Sequence, residues 1–456
     1  MLERIALNQD WLYLSKNVAA ARNVDWDDRQ CEAVCLPHAN KEVPWHGFDD
    51  KEYEFISWYR RHFRAPKKWA AKRLILRFDG VMIAAKVWVN GLYQGEHKGG
   101  YTPFAFDVTD AVRLGADNVI SVQVDSRERA DIPPFGHFVD YLTFGGIYRD
   151  VWLEICDEVF IEDVFAMPAN KSLDAIVTVV SRHAYARETE VTLSCAGKKV
   201  TDTIIIKPGE TRKVQLKLAG LRVKPWDLDN PHLYRATVSL DNGDTMGRRI
   251  GFRKAHFSED GAFYLNDKAV PLMGLDRHQT FPYIGGAAPA RLQRRDADIL
   301  KYDLGLNIVR TSHYPQSPHF LDRCDEIGLL VFEEIPGWTH IGDVAWQEVS
   351  KQELREMIVR DRNHPSIVLW GTRINESRDN HDFYADTNRI AHEVDPTRQT
   401  GGVRNFLESE FLEDVFTNND FSNGIMDPSH VPYLVTEFGG HMFPTKPFDC
   451  EERLVE

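Results

Sequence analysis

Cysteine is scarce. Six residues (Cys31, Cys35, Cys156, Cys195, Cys324 and Cys450) are scattered over 456 positions, and only the first two lie near one another. That distribution argues against a disulfide framework, and without a CxxC pair the usual zinc signature is missing. No run of about 18 apolar residues occurs, so no segment reads as a membrane-spanning helix. The opening stretch, MLERIALNQDWLY, has no basic region ahead of a long apolar core. The expectation is a cytoplasmic protein with free thiols. Basic charge is lacking too: 55 Lys and Arg against 69 Asp and Glu give a net charge of −14. There is then no general attraction to nucleic acid or to an anionic membrane surface. A neutral or small polar ligand is the simpler partner.

The chain is 43% hydrophobic and long enough for two to four domains with real cores. Its pattern changes twice. Up to about Glu154, short alternating or apolar runs such as RLILRFDG, AKVWVNGLYQG and NVISVQVDS are separated by turn signals, which predicts an antiparallel sandwich. From about Cys156 to Lys254 a second set, including DAIVTVVSRH, ETEVTLSCAG and TRKVQLKLAG, has the spacing of a small Ig-like sandwich. After about His256 apolar strands alternate with helical segments: AVPLMGL, NIVRTS, LLVFEE, SIVLWGT, QTGGV, DVFTN and YLVTEF give seven strands. Pro289 suits a helix first turn and Gly305 its stop. Apolar strands alternating with helices predict a parallel sheet of the TIM-barrel type. The expected domains are 1–155, 156–255 and 256–456, the last an incomplete barrel of about seven strands.

In such a barrel the site forms at the C-terminal ends of the strands. IVLWGTRINES is a buried run that ends on Arg373, Asn375 and Glu376, and YLVTEFGG places Glu437 in the same way. Two carboxyl groups from different strands can converge on one bond, which is what glycoside hydrolysis requires. Either glutamate alone reads more simply as a cap or an ion-pair partner. Arg310, His313 and His340 also follow strands and suit a hydroxyl-binding pocket. Trp370 reads as core, and Trp338 is open between core and sugar platform.

The chain resembles glycoside hydrolase family 2, the β-galactosidases, β-glucuronidases and β-mannosidases. The residues that carry the resemblance are FDGVMIAAKVWVNGLYQGEHKGGYTPFAFDVTD, FGGIYRDVWL, GLDRHQTFP, NIVRTSHYPQSPHFLDRCDEIGLLVFEE, NHPSIVLWGTRINES and TEFGGHM. It implies a jelly roll, an Ig-like sandwich and a TIM barrel, in that order. It implies a retaining exo-β-glycosidase, with the β-galactosidase type nearest because of TEFGGHMFPTK and DRHQTFPYIG. A β-glucuronidase, a β-mannosidase or a carbohydrate-binding chain without catalysis are the alternatives. By the same resemblance Glu376 is the acid/base, Glu437 the nucleophile and Asn375 the group that holds the sugar 2-hydroxyl. Arg310, His313 and His340 orient the nucleophile or bind hydroxyls, with His278 and His441 nearby. Asn90 and Asp140 match positions where the first domain reaches the site, although Asn-Gly is also the preferred hairpin turn. No cofactor is implied, and a bound cation is left open, as is a homo-oligomer or a complementing chain.

One departure concerns a tyrosine that the family usually carries after the sixth strand, against the nucleophile. Here FTNNDFS offers Phe421. The other concerns the end of the chain. Asp449 and Glu452 resemble a helix start, yet no eighth strand follows. The expectation is an open barrel with unpaired first and seventh strands and exposed apolar surface.

Overall fold

The computed structural model describes residues 3–44, 47–422 and 425–438. His441 and the helix start expected near Asp449 lie outside these residues. Ten strands within residues 3–156 form a six-stranded and a four-stranded sheet, antiparallel throughout. Alternation does the sorting: in Arg73–Phe78 the residues Leu74, Leu76 and Phe78 are buried between the sheets and their neighbours are not. A second sandwich of three- and four-stranded sheets spans Val159 to Ile250.

The third unit is a parallel barrel. Its strands are β1 (Gly274–Asp276), β2 (Ile308–Arg310), β3 (Leu330–Glu334), β4 (Ile367–Gly371), β5 (Gln399–Arg404), β6 (Val415–Asp420) and β7 (Tyr433–Phe438), hydrogen-bonded in chain order. All seven fall where the apolar runs predict. The helices α1 (Ala290–Asp298), α2 (Pro318–Ile327), α3 (Val344–Asp361) and α4 (His381–Val394) cover the outside. Pro289 caps α1, and Gly305, at φ 69°, follows the π-helical turn that extends it. Ile308, Leu330, Phe332, Leu369, Val403 and Val415 fill the barrel interior and rest on Phe257, Phe263 and Leu265, which plug its lower end. Trp370 is fully buried on the outer face and donates to Asp395 at 3.0 Å, as a core residue.

The barrel is nearly closed. Cα atoms of β1 and β7 come within 8 Å of each other without pairing. Met273 and Leu275 beside this seam are 65% and 51% exposed and Phe438 is 60% exposed, the apolar exposure expected where two edges have no partner strand among the described residues. Among the described residues no helix is long and apolar enough to cross a membrane, and the five described cysteines are free thiols.

Candidate active site

The strand ends β2, β3, β4, β6 and β7 meet at one buried polar cluster with Arg310 at its centre. Its guanidinium grips Glu334 with two nitrogens, at 3.1 and 2.9 Å. Nη1 reaches both Glu437 Oε2 at 3.2 Å and Asp276 Oδ1 at 3.4 Å, and Nη2 donates to Asn375 Oδ1 at 2.7 Å. A planar fork of fixed donors can orient several acceptors at once. Burial disfavours its charge, but Glu334, Asp276 and Glu437 together hold its proton more tightly than usual. Burial likewise works against an ionised Glu334, yet Arg310 and His313 keep that carboxyl below its ordinary range. His313 Nδ1 lies 3.0 Å from Glu334 Oε1. The same Nδ1 faces Arg310 Nη2 at 2.9 Å, so His313 closes the Arg310–Glu334 pair into a three-way cluster.

Glu376 is held by its backbone. It follows β4 by five residues and takes φ 53°, the left-handed region that a residue with a side chain occupies at a cost of about 1–3 kcal/mol. Its N–H donates to Val403 O at 3.0 Å, and the Ser377 hydroxyl ties back to Ile374 O at 2.9 Å, so the turn is fixed from both sides. Partial burial raises the Glu376 carboxyl above its usual range; a hydrogen bond from Asn419 opposes this and the negative Glu437 adds to it.

Asn419, on β6, sits between the two glutamates. Its Nδ2 donates to Glu376 Oε1 at 3.1 Å and to Glu437 Oε2 at 3.0 Å, and its Oδ1 accepts from Thr436 at 3.0 Å. One nitrogen reaching both oxygens confines them to about 6 Å of each other. Asn375 Oδ1 is taken by Arg310 and by Asn419 at 3.4 Å, and no acceptor among the described residues takes its amide N–H groups.

Residues of the first sandwich complete the mouth. Asp140 is exposed at the rim; loss of surrounding water pushes its carboxyl up, His313 pulls it down and Glu437 adds to the rise. The half-buried Tyr141 ring lies 5.7 Å from His313 and 5.5 Å from His278. Loss of surrounding water, with the neighbouring His313, Arg310 and Arg277 acting in the same direction, pushes His278 down to about 3, so its ring is neutral. Trp338 is half-buried and bridged to Asn375 through the backbone, with Thr339 N–H on Asn375 O at 2.7 Å. His340 stacks on His137 at 6.2 Å.

Asn90 is not brought to this mouth. It occupies the left-handed position of its hairpin turn at φ 52°, and its side chain is used up by Ala111, Asn118 and Val119 inside the first sandwich. The turn reading of Asn-Gly is the one the geometry obeys. Phe421 is 55% exposed, and the polar group against Glu437 is the Asn419 amide in place of a tyrosine hydroxyl. Glu334, Asp276, Asn419 and Tyr141 join the site without having stood out in the sequence. The paired acids closing LLVFEE were a usable signal for the first.

Asp276 supplies a pH test. Burial, partly offset by Arg310 and reinforced by Glu437, raises its carboxyl from the ordinary 3.8 to about 6. Between those values the folded chain holds a proton that the unfolded chain has released, so this group weakens the fold as pH rises from about 4 to about 6. Asp276→Asn lacks this effect. Urea unfolding of both proteins should show the parent losing stability relative to the variant across that window, by on the order of 1 kcal/mol after screening at the solvated β1 edge, with a constant difference above pH 7. A difference that stays flat from pH 4 to 7 would count against the raised value.

Two sandwiches ahead of a parallel barrel, with paired carboxyl groups at the C-terminal ends of its strands, is the layout of the multidomain barrel glycoside hydrolases. The chain belongs to glycosyl hydrolases family 2. Residues 2–155 match the family's sugar binding domain, 159–253 its middle domain and 258–439 its TIM barrel domain. It is 49% identical over 98% of its length to a β-galactosidase of Thermoanaerobacter pseudethanolicus, covering 62% of that protein. A β-galactosidase of Thermoanaerobacterium thermosulfurigenes is 47% identical over the whole chain, which covers 67% of it. A Bacteroides uniformis β-glucuronidase 2, solved covalently bound to cyclophellitol-6-carboxylate aziridine, superposes with a TM-score of 0.83 at 27% identity, over 92% of this chain and 55% of that one. The chain thus spans about three fifths of the length of these relatives.

Proposed function

We propose that this site hydrolyses terminal β-D-galactosides with net retention. The observation that carries the reading is the shared Asn419 nitrogen, which keeps Glu376 and Glu437 oxygens within about 6 Å. Retaining enzymes hold their carboxyl groups about 5–5.5 Å apart, whereas inverting ones need about 6.5–9.5 Å for a water. In the first step Glu437, oriented by Arg310, attacks the anomeric carbon; the glycosidic C–O bond breaks and Glu376 gives its proton to the departing oxygen. In the second, water attacks the glycosyl-enzyme, Glu376 takes the water's proton and Glu437 leaves as carboxylate. The raised Glu376 carboxyl suits the acid of the first step. Asn375 offers N–H groups to the 2-hydroxyl. Asp140, His313, His340 and Trp338 line the mouth for the remaining sugar contacts.

Galactosides are favoured over glucuronides because the relatives at 49% and 47% identity carry the β-galactosidase name. The test is product stereochemistry. Proton NMR during cleavage of an aryl β-galactoside should show β-galactose first, with the α anomer growing only by mutarotation. Initial α-galactose, or turnover of the glucuronide alone, would defeat the proposal.

A further inference from the structure

We infer that Phe138 and Trp338 form a leaving-group subsite that takes the flat apolar face of an aglycone ring; this rests on the β-galactoside reading above. Phe138 belongs to the first sandwich, yet its ring meets Trp338 of the barrel edge-on, with centroids 5.7 Å apart and planes at 79°. Two rings at right angles make a corner instead of a closed stack, and Phe138 remains 64% exposed. A single exposed phenylalanine is ordinary. What sets this one apart is how firmly it is presented.

The loop that bears it is anchored on both sides. Ahead of it, Ile132 and Phe135 are buried, and Phe135 O accepts from Trp346 Nε1 of α3 at 2.9 Å. Gly136, at φ 116°, lets the chain cross His340 so closely that a β-carbon there would sit 2.4 Å from its Nε2. Behind it, Tyr141 is wedged among His278, His313 and Tyr314. A pre-placed aromatic binds without first being ordered. Its partner is placed just as definitely. The backbone bridge from Trp338 to Asn375 sets it next to the residue that precedes Glu376, the acid that would meet the departing oxygen. Asp140, two residues past Phe138, answers electrically to Glu437 and His313, so the same loop spans from the leaving-group side to the sugar side.

The test uses uncleavable ligands, so it does not depend on turnover. Affinities of phenyl and methyl β-D-thiogalactoside for the full chain are measured by calorimetry, alongside a thio-linked galactosyl-glucose. The phenyl-to-methyl affinity ratio should fall about 3- to 10-fold in Phe138→Ala, the worth of one aromatic contact, and persist in Phe138→Tyr. A parallel fall with the disaccharide extends the subsite to sugar rings, and a fall with phenyl alone restricts it to aryl groups. A ratio unchanged in Phe138→Ala, with the parent binding both ligands, overturns the subsite and leaves the galactoside reading intact. Failure of the parent to bind either galactoside overturns both.

Discussion

Glu437→Gln is expected to abolish turnover on every glycoside, by about 10⁴-fold or more, because no other group can form the covalent intermediate. Glutamine keeps the shape of the side chain and its hydrogen bond to Asn419 can be rearranged, so folding should survive. The informative control is Glu437→Gly with added azide. A small anion entering the space of the lost carboxylate should displace an activated leaving group and give the α-glycosyl azide. Recovery of the β azide would mean that the attacking group lies on the other face, and Glu437 would lose its role.

Glu376→Gln is expected to divide substrates by their leaving groups. An alkyl or sugar alkoxide needs a proton as the bond breaks, so its rate should fall about 10²- to 10⁴-fold; a dinitrophenolate, which needs none, should lose little in the first step. The alkaline limb of the pH profile of kcat/KM should disappear with the raised carboxyl that causes it. Equal losses on both kinds of glycoside, with that limb retained, would remove Glu376 from proton transfer.

The barrel was legible because a strand buried on both faces shows as an unbroken apolar run, and IVLWG and LLVFEE do so. The glutamates were legible only as a pair: one acid at a strand end reads as a cap or an ion-pair partner, whereas two from different strands of one barrel can converge on a single bond. Asn90 misled at the level of function: its Asn-Gly signal is local and complete in itself, and the family resemblance had suggested a further reach. Asn419 left no trace, since its meaning comes from β4, β6 and β7 converging, which no stretch of sequence contains. Tyr141 and Phe138 were hidden for the same reason. They belong to one domain in sequence and to another in space. LLVFEE shows the limit of the sequence in a single pair: alternation sends Glu334 to Arg310 and Glu333 to Arg360 at 3.3 Å, and only the first reaches the site.

The passage of Gly136 over His340 makes the first sandwich part of the doorway. A carbohydrate module on a tether concentrates substrate and can be cut away; a domain whose loop forms the rim of the cavity cannot be removed without reshaping what enters. The rim is thus shared: the barrel supplies the strand ends and Trp338, and a loop far upstream supplies Phe138, Asp140 and Tyr141. Exchange of the first domain between relatives would therefore reshape the rim and the sugar side of the mouth together, while the strand ends stay as they are.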